Sequence, residues 1–317
     1  MTPENISLNV GTPSNDVPHP AHESRFTAAH YSEALTVFSS GYKDPENLGE
    51  LLEFIAPSVP VGRRFEFKKA NNAEAFLSEE DDIRAIGASF KRVEYTGESV
   101  NEKTINKGLT IRVDHDEIAH DDWQERYVQL LIQRLYRNEL RRAVHVLNAA
   151  SIEATHCWNG ASNPDSQLRK VLSSAANISG IRPNRILFGE AAWDMRSSAY
   201  ESKELMTSMR SADMSPEDLA KKLLVDEVKI IRARYQSNDP SKSQIVTNSV
   251  YAYFAQNTIT KDEPSNLKRF ITPADGGTTF RVFLEESAKY TSISVEHYSN
   301  IVVTSDLGIQ KITLSEV

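Results

Sequence analysis

The chain has 317 residues, of which 39% are hydrophobic and 25% are charged, the proportions of a globular protein with one elaborate domain or two modest ones. Its formal net charge of −8 argues against tight, sequence-independent nucleic-acid binding by the bulk surface, because attraction to phosphates needs a basic footprint. The single cysteine, Cys157, excludes an internal disulfide framework and a multi-cysteine metal site.

The N-terminal part is predicted to combine a polar tail with two short helices. Residues 1–25 contain four prolines and lack the apolar core of a signal peptide, so we do not expect export. No apolar run of eighteen residues occurs in the sequence, so we expect no membrane-spanning helix and no membrane partner. The pattern predicts helices over 27–38 and 45–54, and the second ends at Ala56-Pro57.

A strand-patterned stretch, residues 59–113, follows these helices. Its apolar residues alternate in three groups: Phe65 and Phe67; Val93 and Tyr95; Leu109, Ile111 and Val113. This pattern predicts β-structure with one apolar face, and almost nothing between the groups is suited to cover that face. A long hairpin is marginally stable in water without a third layer. We therefore predict that this arm packs on another molecule.

The charges of the arm are separated by sign. A basic block of Arg63, Arg64, Lys68 and Lys69 comes before an acidic block of Glu79, Glu80, Asp81 and Asp82. Such blocks are commonly solvated surface. On an arm without a core, complementary blocks are also suited to registering neighbouring copies of the chain. Both interpretations remain open at the level of the sequence.

A long amphipathic helix is predicted over residues 121–153. Apolar residues recur at helical spacing from Trp123 to Leu147. At about 1.5 Å per residue, such a helix is on the order of 45–50 Å long, which exceeds the usual length in globular proteins. Acidic residues lie at its start and arginines follow, an order that the helix macrodipole favours. We interpret it as the spine of the fold.

The second half of the sequence alternates helices and strands. Asn163 is predicted to cap a helix to about residue 176, before a strand over 185–188 and a helix that begins at Glu190. A polar loop is expected over 201–214, and Ser215 then caps another helix. The remaining strands are expected over 228–233, 250–254 and 280–284 and on both sides of a turn at 306–308. The fold class is therefore α+β.

No sequence motif predicts catalysis or a cofactor. A glycine-rich phosphate loop, a dinucleotide fingerprint and a nucleophile elbow are all missing from the sequence. His115 and His120, with two acidic residues between them, come nearest to a metal cluster. On a helix their separation places them roughly 140° apart, so they cannot share one face. Acidity at a helix start explains this stretch better, and we predict no enzyme, no cofactor and no metal.

Five marks in chain order carry a resemblance to a known family. They are Val59-Pro60-Val61 before basic and aromatic residues; Ile83-Arg84-Ala85-Ile86-Gly87; the long helix ending in Asn148-Ala149-Ala150 before Trp158; Arg182-Pro183-Asn184-Arg185-Ile186-Leu187-Phe188-Gly189 with Trp193; and Val302-Val303-Thr304-Ser305-Asp306-Leu307-Gly308, similar to a terminal hairpin. From about residue 50 to the C-terminus, their order and spacing resemble the major capsid proteins of tailed bacteriophages, which have the Hong Kong 97-type coat fold.

The resemblance implies a division into five segments. These are an N-terminal arm (1–58), an extended loop that overlaps a neighbouring subunit (59–117), a peripheral domain with the spine helix (118–160), an axial domain (161–285) and the C-terminal strands of the peripheral domain (286–317). In tailed-phage coats some members carry a scaffolding segment before the loop. Here the loop begins near residue 60, so a separate scaffold protein is expected instead.

The resemblance also implies a function. Such proteins assemble through hexamers and pentamers into an icosahedral virion shell, built in the host bacterial cytoplasm, that encloses double-stranded DNA without sequence-specific binding. A portal and a scaffold or decoration protein would be further partners. The alternative is an encapsulin, a bacterial compartment shell with the same fold that holds a cargo enzyme. The long N-terminal arm favours the phage coat.

The residues of the arm are the predicted intersubunit contacts. They are Arg63, Arg64, Phe65, Phe67, Lys68, Lys69, Glu79, Glu80, Asp81, Asp82, Arg84 and Val93. We expect the basic residues to meet acidic groups on adjacent subunits and the apolar ones to pack on a neighbour's spine helix. Some members of the family also join a loop lysine covalently to a neighbour's asparagine. Lys68, Lys69, Lys91 and Asn300 are residues of these types, in no distinctive pattern.

Overall fold

A computed structural model of the chain describes residues 29–69, 83–84, 86–89, 98–118, 120–203, 206–236, 241–258 and 265–315. The helices are α1 (Glu33–Gly41), α2 (Leu48–Ile55), α3 (Trp123–Ala150), α4 (Pro164–Ser179), α5 (Glu190–Glu201), α6 (Met206–Ala212) and α7 (Pro216–Leu223). The strands are β1 (His30–Tyr31), β2 (Ser58–Pro60), β3 (Arg64–Lys69), β4 (Glu98–Lys103), β5 (Ile105–Asp114), β6 (Ile152–His156), β7 (Arg185–Gly189), β8 (Glu227–Ile231), β9 (Arg234–Gln236), β10 (Lys242–Gln244), β11 (Ser249–Tyr253), β12 (Leu267–Thr272), β13 (Arg281–Glu286), β14 (Tyr290–Val303) and β15 (Gln310–Leu314). The predicted α+β class is confirmed.

The first sheet has six strands and is organised around the long strand β14. Along one edge, β13 pairs with the N-terminal half of β14 and β12 with its C-terminal half, while β5 pairs along the other edge. β1 and β2 complete the sheet beside β13 and β12. Side chains of β14 alternate between buried and half-buried over most of its length, as expected for a strand with one face on a core.

The long helix α3 covers this sheet. It has 28 residues and is therefore about 42 Å long. Its N-terminal half packs through residues such as Leu131 and Ile132 against Ile293 and Val295 of β14. Its C-terminal half packs against α2 and β11. The prediction of a helix to residue 153 is wrong at the C-terminal end, because the backbone becomes extended at Ser151. The next residues form β6, which pairs in parallel with β15.

The second sheet has five strands, in the order β6-β15-β11-β7-β8. β7 is buried at all five residues, which explains its continuous apolar pattern, and α4, α5 and α7 pack beside it. The predicted caps of α4 and α7 are confirmed: Asn163 accepts a hydrogen bond from Ser166 N and Ser215 from Asp218 N, each at 3.2 Å. The predicted polar loop over 201–214 is wrong, because it contains α6.

The C-terminal strands do not form the expected hairpin. β14 belongs to the first sheet, whereas β15 crosses to the second and lies between β6 and β11. β12 and β13, which fall in the predicted axial segment 161–285, also lie in the first sheet. The two sheets are thus built from segments that interleave along the sequence.

Within the described ranges, no helix has both the length and the apolar composition that a membrane span needs.

Candidate assembly surface

The β3–β4 hairpin forms the described base of the predicted arm. Its ladder runs from Arg64 opposite Lys103 to Lys69 opposite Glu98. Phe67 is 2% exposed, and the ring centroids of Phe65 and Phe67 lie 4.3 and 5.4 Å from that of Phe270 in β12. The same chain therefore covers the apolar face here, which corrects the expectation that another molecule would cover it. Phe67 has almost no surface left for a neighbouring subunit.

The third apolar group of the predicted arm is also covered within the chain. It lies on β5, where Leu109 and Ile111 pack against the core under α3 and Val113 is buried. β5 is held in the first sheet by its pairing with β14 from Asp114 to Ile105. It is therefore part of the body of the protein and not of a free loop. The remaining group, Val93 and Tyr95, lies outside the described residues.

The basic block lies at the surface of the hairpin and is partly engaged within the chain. The Arg63 guanidinium stands over the Tyr298 ring, 4.1 Å from its centroid, and Lys69 Nζ lies 3.1 Å from Asp306 Oδ2. Arg64, Lys68 and Arg84 are exposed. Exposed pairs of this kind contribute little to stability, so these cations can exchange partners at small cost.

The other predicted contacts are not placed by the structure. Glu79, Glu80, Asp81, Asp82 and Val93 lie outside the described residues. The contact of the arm with neighbouring subunits thus stays a prediction for the basic and acidic blocks and for Phe65, which is half-buried.

A buried ionic network joins β5, α3 and β14. Glu139 of α3 has no exposed surface. One of its oxygens accepts hydrogen bonds from Lys107 at 2.8 Å and Arg142 at 2.7 Å, and the other accepts from Ser299 at 2.7 Å. Burial raises the pKa of Glu139, but the charge and hydrogen bond of Lys107, together with the hydrogen bond from Ser299, lower that pKa to about 2. The carboxylate is therefore ionised inside the protein.

A buried histidine adjoins this network. His297 Nε2 lies 4.0 Å from Glu139 Oε1, and its ring stacks on Phe280 with 5.3 Å between centroids. Burial lowers the pKa of His297 to about 4, even though Glu139 acts in the opposite direction. Its Nε2 has no hydrogen-bond partner in the described part of the chain. The imidazole is neutral at pH 7.

This network was not predicted from the sequence, although α3 carries a signal for it. Glu139 lies four residues after Leu135 and four before Ala143, in the middle of the buried stripe of the helix. A glutamate at such a position is rarely buried without a partner. The partners come from β5 and β14, which are distant in sequence.

A groove of about 950 Å³ opens beside the network, between β5, β14 and α3. It is lined by Ile105, Asn106, Lys107, Gly108, Leu109, Leu135, Asn138, Arg141, Arg142, His145, Val146, Asn300 and Ile301. These lining residues include three cations and three amides and no carboxylate. Glu296 and Glu102 accept hydrogen bonds from two of the amides, and Glu139 pairs with two of the cations, so the groove has no surplus of positive charge.

The other candidates from the sequence have structural partners. His115 Nε2 lies 2.9 Å from Thr291 Oγ1, and among the described residues no group of three or more His, Cys, Asp or Glu side chains is placed to hold a metal ion. The Asn300 amide donates hydrogen bonds to Glu102 Oε2 at 3.2 Å and to the Lys103 carbonyl at 3.0 Å. Asn300 thus lies at the hairpin base, beside the groove.

Known protein structures share the fold of this chain. No protein-family model matches the sequence, and no curated protein matches it. A phage-related protein from Bordetella bronchiseptica matches the structure with a TM-score of 0.67 at 17% identity, over 90% of this chain and 97% of that one. The mature capsid of bacteriophage PhiM1 gives a TM-score of 0.51 at 10% identity (88% and 90% covered), and the capsid of cyanophage P-SCSP1u gives 0.50 at 7% (84% and 88%).

These matches confirm the resemblance at the level of the fold. The chain has the α+β fold of tailed-phage major capsid proteins, the Hong Kong 97-type coat fold. The matches extend over most of both chains in each pair, so the likeness concerns the whole architecture and not one shared motif.

Proposed function

We propose that this chain is a major capsid protein: a structural, non-enzymatic subunit that assembles through hexamers and pentamers into an icosahedral shell around double-stranded DNA. The observation that carries the proposal is the match of 84–88% of this chain to phage capsid structures, including 90% of the PhiM1 capsid chain. The fold alone does not fix the function. The surface of the chain adds a second argument, because it offers charged and apolar groups suited to contacts between copies.

The proposed assembly uses two different surfaces on each copy. A surface that contacts a different surface on the next copy makes a heterologous interface, which closes into a ring when the rotation permits. Rings of five and six tile a closed shell. The basic block of the hairpin, Arg63, Arg64, Lys68 and Lys69, is proposed to contact acidic groups of an adjacent copy, with Arg84 and the acidic block 79–82 in the same interface.

The net charge of the chain bears on how the proposed shell would hold DNA. A chain with a net charge of −8 repels polyphosphate on average, so DNA inside such a shell is held without tight or sequence-specific contacts. The shell would lie in the virion and form in the host bacterial cytoplasm. A portal and a separate scaffold or decoration protein are the partners proposed for it.

Electron microscopy with sedimentation of the purified full-length protein, at low and moderate salt, tests the proposal. We expect closed icosahedral shells or rings of five and six. A protein that stays monomeric, both alone and co-expressed with the products of its neighbouring genes, would overturn the proposal. The genes beside it separate a phage coat from an encapsulin, because terminase and portal genes accompany the first and a cargo-enzyme gene the second.

A further inference from the structure

The second sheet ends in a strand with an open outer edge. β8 pairs in parallel with β7 on one side, and no described strand pairs with its other side. Apart from this pairing, no described residue forms a backbone hydrogen bond with residues 228–231. An open edge presents N–H and C=O groups that readily pair with another strand, so proteins usually cover or block it.

A groove of about 640 Å³ runs along this edge. One wall comes from the start of α2, with Leu51, and the other from the start of α7, with Pro216. α2 shares a core with Ile231 and α7 shares one with Val228, and these two side chains lie on opposite faces of β8. A strand added beside β8 would therefore be covered by a helix on each face.

Two other edge strands are more exposed than β8. β6, at the opposite edge of the same sheet, has three of its five residues exposed, and β5 has six of its ten exposed. β8 has none of its five residues exposed. It is thus an edge strand in the environment of an inner strand.

The N-terminal tail contains a short sequence with the pattern of a strand. Residues 1–28 lie outside the described residues. Within this tail, Ile6, Leu8 and Val10 alternate with polar residues, and Gly11-Thr12-Pro13 ends the run. A six-residue strand over 5–10 is about 20 Å long. The groove follows β8 and its continuation over the same number of residues, 228–233.

We propose that residues 5–10 pair with the open edge of β8 in the same chain, as a sixth strand of the second sheet. The segment carries no charged side chain. In the groove, Glu46 and Lys229 are already paired, with Arg137 and Glu227. A neutral segment therefore fits without adding a charge that needs a new partner.

A second alternating run outside the described residues fits less well. It contains Val93 and Tyr95, and it also carries Lys91, Arg92 and Glu94. This run adjoins the far end of the hairpin ladder, where Lys69 lies opposite Glu98. It would bring three charges to the groove, and its attachment to the hairpin restricts its reach.

The length of the tail allows the contact within one chain. β1 follows the tail and pairs with β13, which packs on the N-terminal half of α3, whereas β8 shares a core with the C-terminal half. Their separation is therefore on the order of the length of α3, about 42 Å. Residues 11–29 extend to about 60 Å. A tethered segment also has a high effective concentration at its own chain, which favours it over a second copy.

The inference goes beyond the proposed shell function and concerns the unassembled subunit. A covered edge cannot pair with an edge of another copy. The docked tail would therefore protect the subunit from edge-to-edge aggregation before it assembles.

Distances between nitroxide labels, measured by electron paramagnetic resonance, test the contact in the full-length unassembled protein. Cys157→Ser in all variants restricts labelling to introduced cysteines. One pair is Ser7→Cys with Arg232→Cys at the groove, and the comparison pair is Ser7→Cys with Thr155→Cys on β6. We expect a narrow distribution below about 20 Å for the first pair. The second pair should lie at least about 24 Å apart, because five strand spacings separate the tail from β6.

The possible results are distinct. Broad distributions for both pairs, or a shorter distance to β6 than to the groove, would overturn the inference. Diluting the doubly labelled protein with unlabelled protein should leave the short distance unchanged. If the short distance disappears on dilution, the tail belongs to a second copy and the assignment to the same chain is wrong.

A substitution in the tail provides a second readout. Ile6→Asp with Leu8→Asp should release the segment and accelerate hydrogen exchange at the backbone amides of β8 at least about tenfold. Thr12→Asp with Ser14→Asp adds the same charge beyond Gly11 and should exchange like the wild type. Equal exchange in the two variants would contradict docking of the tail, and it would leave the shell function standing.

Discussion

The ammonium group of Lys107 lies 2.8 Å from the carboxylate of Glu139, which has no exposed surface. Lys107 belongs to β5, the strand that follows the β3–β4 hairpin after Thr104, and Glu139 belongs to the long helix α3. The pair therefore fixes the base of the hairpin to the helix.

Replacing Glu139 by Gln should destabilise the protein by about 3–5 kcal/mol. The isosteric amide removes the negative charge and leaves the Lys107 ammonium buried without a counter-ion. Urea denaturation of the unassembled protein at pH 7 measures the loss. Glu125→Gln, at an exposed position of the same helix, is the matched control and should stay within about 0.5 kcal/mol of the wild type. Equal effects of the two substitutions would contradict the role of the network.

Stability should fall in acid in two steps. The pKa of His297 is about 4 in the folded protein, below its usual 6.5, so between these values the proton binds the unfolded chain in preference. The contribution of His297 to stability is therefore fully present above pH 6.5 and is lost as the pH falls toward 4. The pKa of Glu139, about 2 instead of 4.5, adds a second loss between pH 4.5 and 2. Each step lowers the free energy of unfolding by roughly 3 kcal/mol.

The upper step can be removed by one substitution. His297→Phe keeps the stacking on Phe280 and eliminates the titrating ring, so its free energy of unfolding should change little between pH 6.5 and 4.5. Urea denaturation at several pH values measures this profile. His145→Gln, at an exposed position on α3, is the control and should follow the wild type. A Phe variant with an unchanged acid loss would show that other groups cause it.

A second buried ion pair, between α4 and α5, should behave in the same way. The carboxylate of Asp165 accepts two hydrogen bonds from Arg196, at 2.8 and 3.1 Å, and the Arg196 side chain is fully buried. Asp165→Asn should cost about 3–5 kcal/mol, because it leaves the guanidinium without a charge partner. Asp218→Asn, on an exposed side chain of α7, is the control, and thermal unfolding compares the two. A small effect at Asp165 would indicate that Arg196 finds another partner.

The parts of the fold that could be predicted from the sequence depend on neighbours along the chain. β7 is a short apolar run between turns, and Asn163 and Ser215 cap helices through hydrogen bonds to residues three positions on. Each of these signals is local. Most of the helices and strands, and the likeness to capsid proteins, could therefore be predicted from the sequence.

The parts that could not be predicted depend on distant partners. β14 and β15 are close in sequence and alternate in the same way, yet they join different sheets because β6 and β11 take β15. Alternation at Phe65 and Phe67 predicted an apolar face but not Phe270, about 200 residues later, as the group that covers it. Strand pairing of this kind is non-local and leaves no periodic signal.

The burial of Phe67 provides a prediction about when its contacts form. Because Phe67 packs against Val59 and Phe270 of the same chain, Phe67→Ala should destabilise the unassembled protein by about 3–5 kcal/mol. Hydrogen exchange at the backbone amides of β3 and β4 should accelerate in the same variant. Phe65→Ala, at a half-buried position two residues earlier, is the comparison and should cost less. If Phe67 instead packed on a neighbour, the unassembled protein would be unaffected and the loss would appear only in the assembled particle.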